Sequence, residues 1–196
     1  MTFLPIPAPR LLAMAIAMGL SFSLPAQAQE PIDQQLDEYR QAAQTFGKTL
    51  KGELQAAMKA GGPMAAVSVC NERAPEIAAQ LSEETGFTLR RTSLKPRATE
   101  PTSWERAVLE DFQTRRADGE SPKSIEWHEV ANVDGERRLR YMKAIGTDGV
   151  CLTCHGTNVD PALKAKIDKL YPDDQAVGFE AGDIRGAFSI TAPIEG

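Results

Sequence analysis

The sequence predicts an α+β fold in which long helices come first and a small antiparallel sheet follows. Three observations carry that expectation. Apolar residues recur every three or four positions through residues 31–60 and again through 64–85. Short β-rich runs then appear at 87–93, 124–133, 136–145 and 186–191, and Asp134-Gly135 separates two of them at the length of a two-residue hairpin turn. Helices gathered ahead of a hairpin and a closing strand describe α+β rather than an all-helical chain.

At the N-terminus, Arg10 supplies the positive charge, residues 11–24 are almost wholly apolar, and Ala26-Gln27-Ala28 has the small-x-small form of a cleavage site. Residues 1–28 therefore read as a cleaved secretory signal peptide, with the periplasm of a Gram-negative cell as destination. The apolar run is shorter than the roughly 20 residues a membrane-crossing helix needs, so no stable membrane insertion is expected.

Ile32, Leu36, Tyr39, Ala43, Phe46, Leu50, Leu54 and Met58 then form one helical stripe, opened by Pro31 and stopped by Gly61-Gly62-Pro63. The stripe must bury against the rest of the domain or against a second copy of the chain, and the latter would make a homodimer. The organisation expected is a leader at 1–28, an amphipathic helix at 29–62 and one domain at 63–196. A second helix should run over 64–85 to a left-handed cap at Gly86, with Ala66, Cys70 and Ala74 on one small-residue face. Pro75 removes a backbone donor and is expected to kink this helix just after Cys70.

Residues 87–93 read as a strand leading into the basic turn Lys95-Pro96-Arg97. Thr102-Ser103-Trp104-Glu105 has the form of a capping box, with Trp104, Val108 and Phe112 at helical spacing behind it. The hairpin 124–133/136–145 follows, then Gly146 and Gly149. Asp160-Pro161 opens a short helix carrying Leu163, Ile167 and Leu170, Tyr171-Pro172 closes it, and 186–191 is a last strand.

The 196 residues carry a formal charge of −5, more negative once a leader holding Arg10 and no acid is removed. Such an acidic chain has no electrostatic case for nucleic acid.

Between the hairpin and the short helix stands Cys151-Leu152-Thr153-Cys154-His155. Two thiols three positions apart, followed at once by an imidazole, are what covalent attachment of one c-type haem requires: each sulfur adds to a vinyl group and the histidine meets the iron from below. A structural zinc site would need a second close Cys/His pair, which the chain lacks. A thioredoxin-type redox pair would leave His155 without a role.

Three cysteines are an odd number for an exported chain, and thioethers at Cys151 and Cys154 leave Cys70 alone. Cys70 is either a small buried side chain or the second axial ligand of the iron. His128 is the alternative sixth ligand, since imidazole is the commoner choice; Met58, Met64 and Met142 sit on patterns that read as core. Haem propionates need cationic partners, for which Arg91 and Arg97 are the first candidates and Arg90 and Arg185 the others.

The chain resembles a known family, the extracytoplasmic PAS-like c-type haem domains, long catalogued as a domain of unknown function and found alone or as the sensing part of bacterial receptors. Its carriers here are Val69-Cys70-Asn71, the run from Arg91 to Arg97, Trp104-Glu105, the attachment motif with Gly156, Tyr171-Pro172-Asp173-Asp174-Gln175-Ala176 and Gly182-Asp183-Ile184-Arg185-Gly186-Ala187. The resemblance implies a PAS-like five-stranded antiparallel sheet with flanking helices, and an iron held by His155 and Cys70.

Function follows as an expectation: a one-electron haem carrier working with a redox partner protein. The alternative is a redox or gas (NO/CO) sensor signalling through a separate protein. A third reading, a peroxidase-like enzyme, would use His128 with Arg138 or Arg140 as distal acid–base groups.

Overall fold

The computed structural model describes residues 30–194, so the leader expected at 1–28 lies outside the described residues. Helix α1 spans Glu30–Thr85 and folds back on itself at Gly61 (φ −145°, ψ 16°) and Gly62 (φ 66°, ψ −165°), the latter a conformation that a residue without Cβ adopts at little cost. Across the bend Arg73 Nε meets Glu53 Oε2 at 2.7 Å, so the two limbs run side by side as a helical hairpin. These limbs are the two helices expected on either side of Gly61-Gly62-Pro63.

Pro75 does not break the helix: the non-helical residues within α1 are Gly61 and Gly62, and the second limb keeps helical backbone angles through the proline. Packing outweighs one missing hydrogen bond, because Ala74 and Ile77 on either side are buried against the core and pin both flanking turns.

After α1 come β1 (Thr88–Thr92), α2 (Ser103–Ala117), β2 (Glu126–Val133) and β3 (Glu136–Gly146). A 3-10 turn at Gly149–Cys151 leads into the one-turn α3 (Leu152–His155), followed by α4 (Pro161–Leu170) and β4 (Ile184–Pro193). The sheet is antiparallel in the order β1-β4-β3-β2. It has four strands among the described residues, where the family resemblance implied five. Residues 94–101 form no ladder: Pro96 and Pro101 have no N–H to give, and the Pro96 carbonyl accepts instead from the Gln175 N–H at 2.9 Å.

Alternation along the strands sends side chains to two layers. Leu139, Tyr141, Ile190 and Ala192 face the α1 hairpin, where Tyr39, Phe46 and Leu81 meet them. Met142, Ala144 and Ala187 face α2 through Val108, Leu109 and Phe112. Leu36, Tyr39, Ala43, Phe46 and Leu50 of the apolar stripe are thus buried within the molecule, while Leu54 and Met58 are only partly buried.

Local signals account for the ends. Asp134 (φ 55°) and Gly135 (φ 86°) both take positive φ, as a type I′ hairpin turn demands. Glu105 Oε2 accepts from Thr102 N–H (2.8 Å) and Thr102 Oγ1 (2.9 Å), closing the box expected at α2. Asp160 Oδ1 accepts from the N–H groups of Ala162 and Leu163 to open α4. No helix among the described residues is long and apolar enough to cross a membrane.

Candidate functional site

The limbs of α1, the C-terminal ends of β1 and β3 and the short α3 enclose a cavity of about 720 Å3, within the range of roughly 300–1,000 Å3 typical of ligand clefts. All three cysteines and His155 line it. Cys151, Cys154 and His155 come from one helical turn. Cys70 comes from the second limb of α1, beside Ala74 on the small-residue face read from the sequence. The third member of that face, Ala66, is packed away in the interior. The three cysteines are free thiols. Among the described residues no three His, Cys, Asp or Glu side chains gather as a bare metal ion would require, which leaves zinc without a ligand set.

His155 is held in a ligand-ready state. Its Nδ1–H donates to the Ala176 carbonyl at 2.8 Å, so Nε2 carries the free lone pair. Burial, with help from the charges of Arg185 and Arg97, pulls its pKa down to about 3 and keeps the imidazole neutral. The Phe179 ring meets the imidazole edge-on, centroids 6.3 Å apart, and Phe179 N–H donates to the His155 carbonyl at 3.0 Å. Burial also pushes the Cys154 thiol up.

Four arginines were candidates for propionates, and the structure separates them. Arg97 is taken: its Nε and Nη2 grip Asp174 at 2.8 and 3.0 Å, and Nη2 also donates to the Cys154 carbonyl at 3.0 Å. It is a clamp between the attachment turn and the loop that orients His155. Burial pushes Asp174 up, but Arg97 and the Ala176 N–H outweigh it and hold the carboxyl below the usual range. Arg90 is bound to Glu105 and to the Glu100 carbonyl.

Arg91 and Arg185 line the cavity without an acidic partner among the described residues. Burial, then the neighbouring Arg185 charge, lowers Arg91 to about 10. Arg185 Nε is buried and has no hydrogen-bond partner. Two cations aimed into one cavity with no counter-charge are a costly arrangement, and a ligand bearing two carboxylates would relieve it. The residues present therefore fit a haem: two sulfurs to attach it, an imidazole and a thiol for its metal, and two guanidiniums for its acid groups.

His128 is exposed on the edge strand β2 and does not line the cavity. The sixth-ligand alternative and the peroxidase reading both lose their histidine. Arg140 is paired with Glu129 over the Trp104 ring and Arg138 with Glu136, neither at the cavity. Of the methionines, Met142 is core, Met58 lines the cavity, and Met64 is 44% exposed, against the expectation that it packs inside.

Sequence reasoning missed Asp174, Ala176 and Tyr171 as site residues. Asp174 and Tyr171 stand in the run quoted for the family resemblance, which was the available signal. The Ala176 contribution is a backbone carbonyl, to which residue type is blind.

A family model described as Tll0287-like matches residues 25–193. Among solved structures the chain is similar to the crystal structure of the cyanobacterial heme-protein Tll0287, at 22% identity and a TM-score of 0.63, over 82% of this chain and 95% of that one. No curated protein matches the chain.

Proposed function

From the premise that this chain belongs to the Tll0287-like family, we propose that it carries one covalently attached c-type haem and passes single electrons through its iron. The observation that carries the reading is the convergence of Cys151, Cys154, His155 and Cys70 on one cavity that also holds two unpaired arginines. The relative of known structure is described as a heme-protein, which supports the reading.

Cys151 and Cys154 would hold the group covalently through their sulfurs as thioethers. His155 Nε2 and Cys70 Sγ would hold its iron, Arg91 and Arg185 would hold its propionates, and Arg97 would fix the turn that carries Cys151, Cys154 and His155. The haem supplies a one-electron couple, and an anionic sulfur ligand favours its oxidised state over the reduced one. The leader read at 1–28 supports a periplasmic site of assembly and an external redox partner protein.

One observation favours a second reading, a PAS-like module responsive to redox state or to NO or CO that signals through a separate protein. Cys70 sits on α1, apart from the attachment turn, so its bond can break while the thioethers keep the group in place. Absorption and magnetic resonance spectra of oxidised and reduced protein, beside Cys70→Ala, test both. A low-spin ferric signal with sulfur character that disappears in the variant supports the ligand set. A reduced spectrum unchanged by added CO counts against the sensor.

A further inference from the structure

Met58, Met64 and Met142 all sit on apolar patterns in the sequence, and the structure separates them. Met142 is fully buried between the sheet and α2, and Met64 is 44% exposed beside the bend of α1. Met58 differs from both. It is partly buried and lines the cavity, so it borders open volume rather than a closed core.

Its place on the hairpin brings it close to the level of Cys70. Across the bend, Arg73 Nε and Nη2 grip the two carboxylate oxygens of Glu53 at 2.7 and 2.9 Å, so those residues stand side by side. Counting toward the bend on each limb from that pair, Cys70 is level with Ala56, and Met58 lies ~3 Å of helix rise beyond it. Two sulfurs, one from each limb, therefore border one cavity at nearly the same height. Methionine turns about three side-chain bonds, and its sulfur can sweep that space. The lysines at the cavity are engaged elsewhere: Lys51 Nζ with Asp148 at 2.6 Å, Lys95 Nζ with the Val177 carbonyl and the Phe179 ring.

The two sulfurs suit different states of one iron. An anionic thiolate favours the ferric state, whereas a neutral thioether opposite histidine raises the potential and favours the ferrous one. We propose that Met58 is a further axial donor, whose Sδ takes the iron in place of Cys70 when the protein is reduced. This inference rests on the reading of Cys70 as an axial ligand. One electron arrives from the redox partner protein and reduces the iron. The iron–Sγ bond breaks with its electron pair left on the Cys70 sulfur, which takes a proton from water, and a lone pair of Met58 Sδ makes the new bond. Reduction thus moves the attachment of the iron from the second limb of α1 to the first.

Met58→Leu keeps most of the apolar volume and removes the sulfur. In the reduced, haem-loaded, unsubstituted protein, proton magnetic resonance should show a methyl singlet displaced far upfield by the macrocycle, the mark of methionine on iron. Met58→Leu should lack that signal, and its oxidised spectrum should match that of the unsubstituted protein. Loss of an internal ligand that holds the site at least ~90% of the time should tighten CO binding to the reduced form by at least about tenfold. Met142→Leu, in the core, should alter neither readout. An upfield methyl missing from the unsubstituted protein, one that persists in Met58→Leu, or an unaltered CO affinity would each overturn the proposal. If Cys70→Ala changes the oxidised spectrum while Met58→Leu leaves the reduced protein as it was, only this inference fails. If Cys70→Ala leaves the oxidised spectrum unchanged, the axial assignment falls and takes the exchange of sulfurs with it.

Discussion

The α1 hairpin serves two regions of opposite character, and the contrast explains what each is for. Where its limbs lie on the sheet, Tyr39, Phe46, Ile77 and Leu81 meet Leu139, Tyr141 and Ile190 in a closed core, and Tyr39 and Tyr141 each have a hydroxyl partner. At the cavity, Leu54, Met58, Cys70 and Ala74 of the same hairpin line open volume instead. The charges there include Arg91 and Arg185, which have no acidic partner among the described residues, and the buried Arg185 Nε has no hydrogen-bond partner among them. One stretch of helix thus supplies stability at one end and gives it up at the other. Two cations gathered without a counter-charge are what an acidic ligand would complete.

The sharpest break in that contrast is a place where the cavity wall is itself satisfied, the Arg97–Asp174 pair, whose side chains are 11% and 1% exposed. Asp174→Asn should leave a buried guanidinium without its counter-charge and cost about 3–5 kcal/mol in urea unfolding. The pair also sets a pH dependence. The Asp174 carboxyl is held below its unfolded range, so its contribution is complete above that range, near pH 4, and is lost as pH falls through the lower folded value. Acid titration of stability should flatten over that window in the Asn variant.

Next in size, Leu139→Ala in the closed core should cost about 2–5 kcal/mol, by the same amount in haem-free and haem-loaded protein, since the cavity is not involved. Arg185→Ala should instead change sign between the two forms. Removing one of two facing cations should raise the unfolding free energy of the haem-free chain and lower that of the loaded one, by about 1–2 kcal/mol each way. The same sign in both forms would erase the distinction drawn between the two regions. Smallest of all, Lys51→Ala at the cavity rim breaks an exposed pair with Asp148 and should shift stability by less than about 1 kcal/mol.

Much of the closed region was legible in the sequence because local chemistry specifies it. The helical period ran to a Gly-Gly-Pro stop, Asp134-Gly135 marked the hairpin, and Thr102 with Glu105 marked the start of α2. The grouping of Cys151, Cys154 and His155 at one cavity was legible for the same reason, since the three are neighbours in the chain. What escaped depends on distant partners. Arg97 looked as available as Arg91 until the fold brought Asp174 to it from 77 positions away. Pro75 looked like a breaker until packing on both sides held its turns helical. The fifth strand came from the resemblance alone and matched no β-rich run of this sequence, and the described residues form four.

Intact-mass analysis of the mature protein, made in cells competent to attach haem and treated with a thiol-alkylating reagent after denaturation, tests the central claim most directly. The account predicts one added haem, with Cys151 and Cys154 protected and Cys70 alkylated. A chain without added mass, in which all three cysteines react, would contradict it.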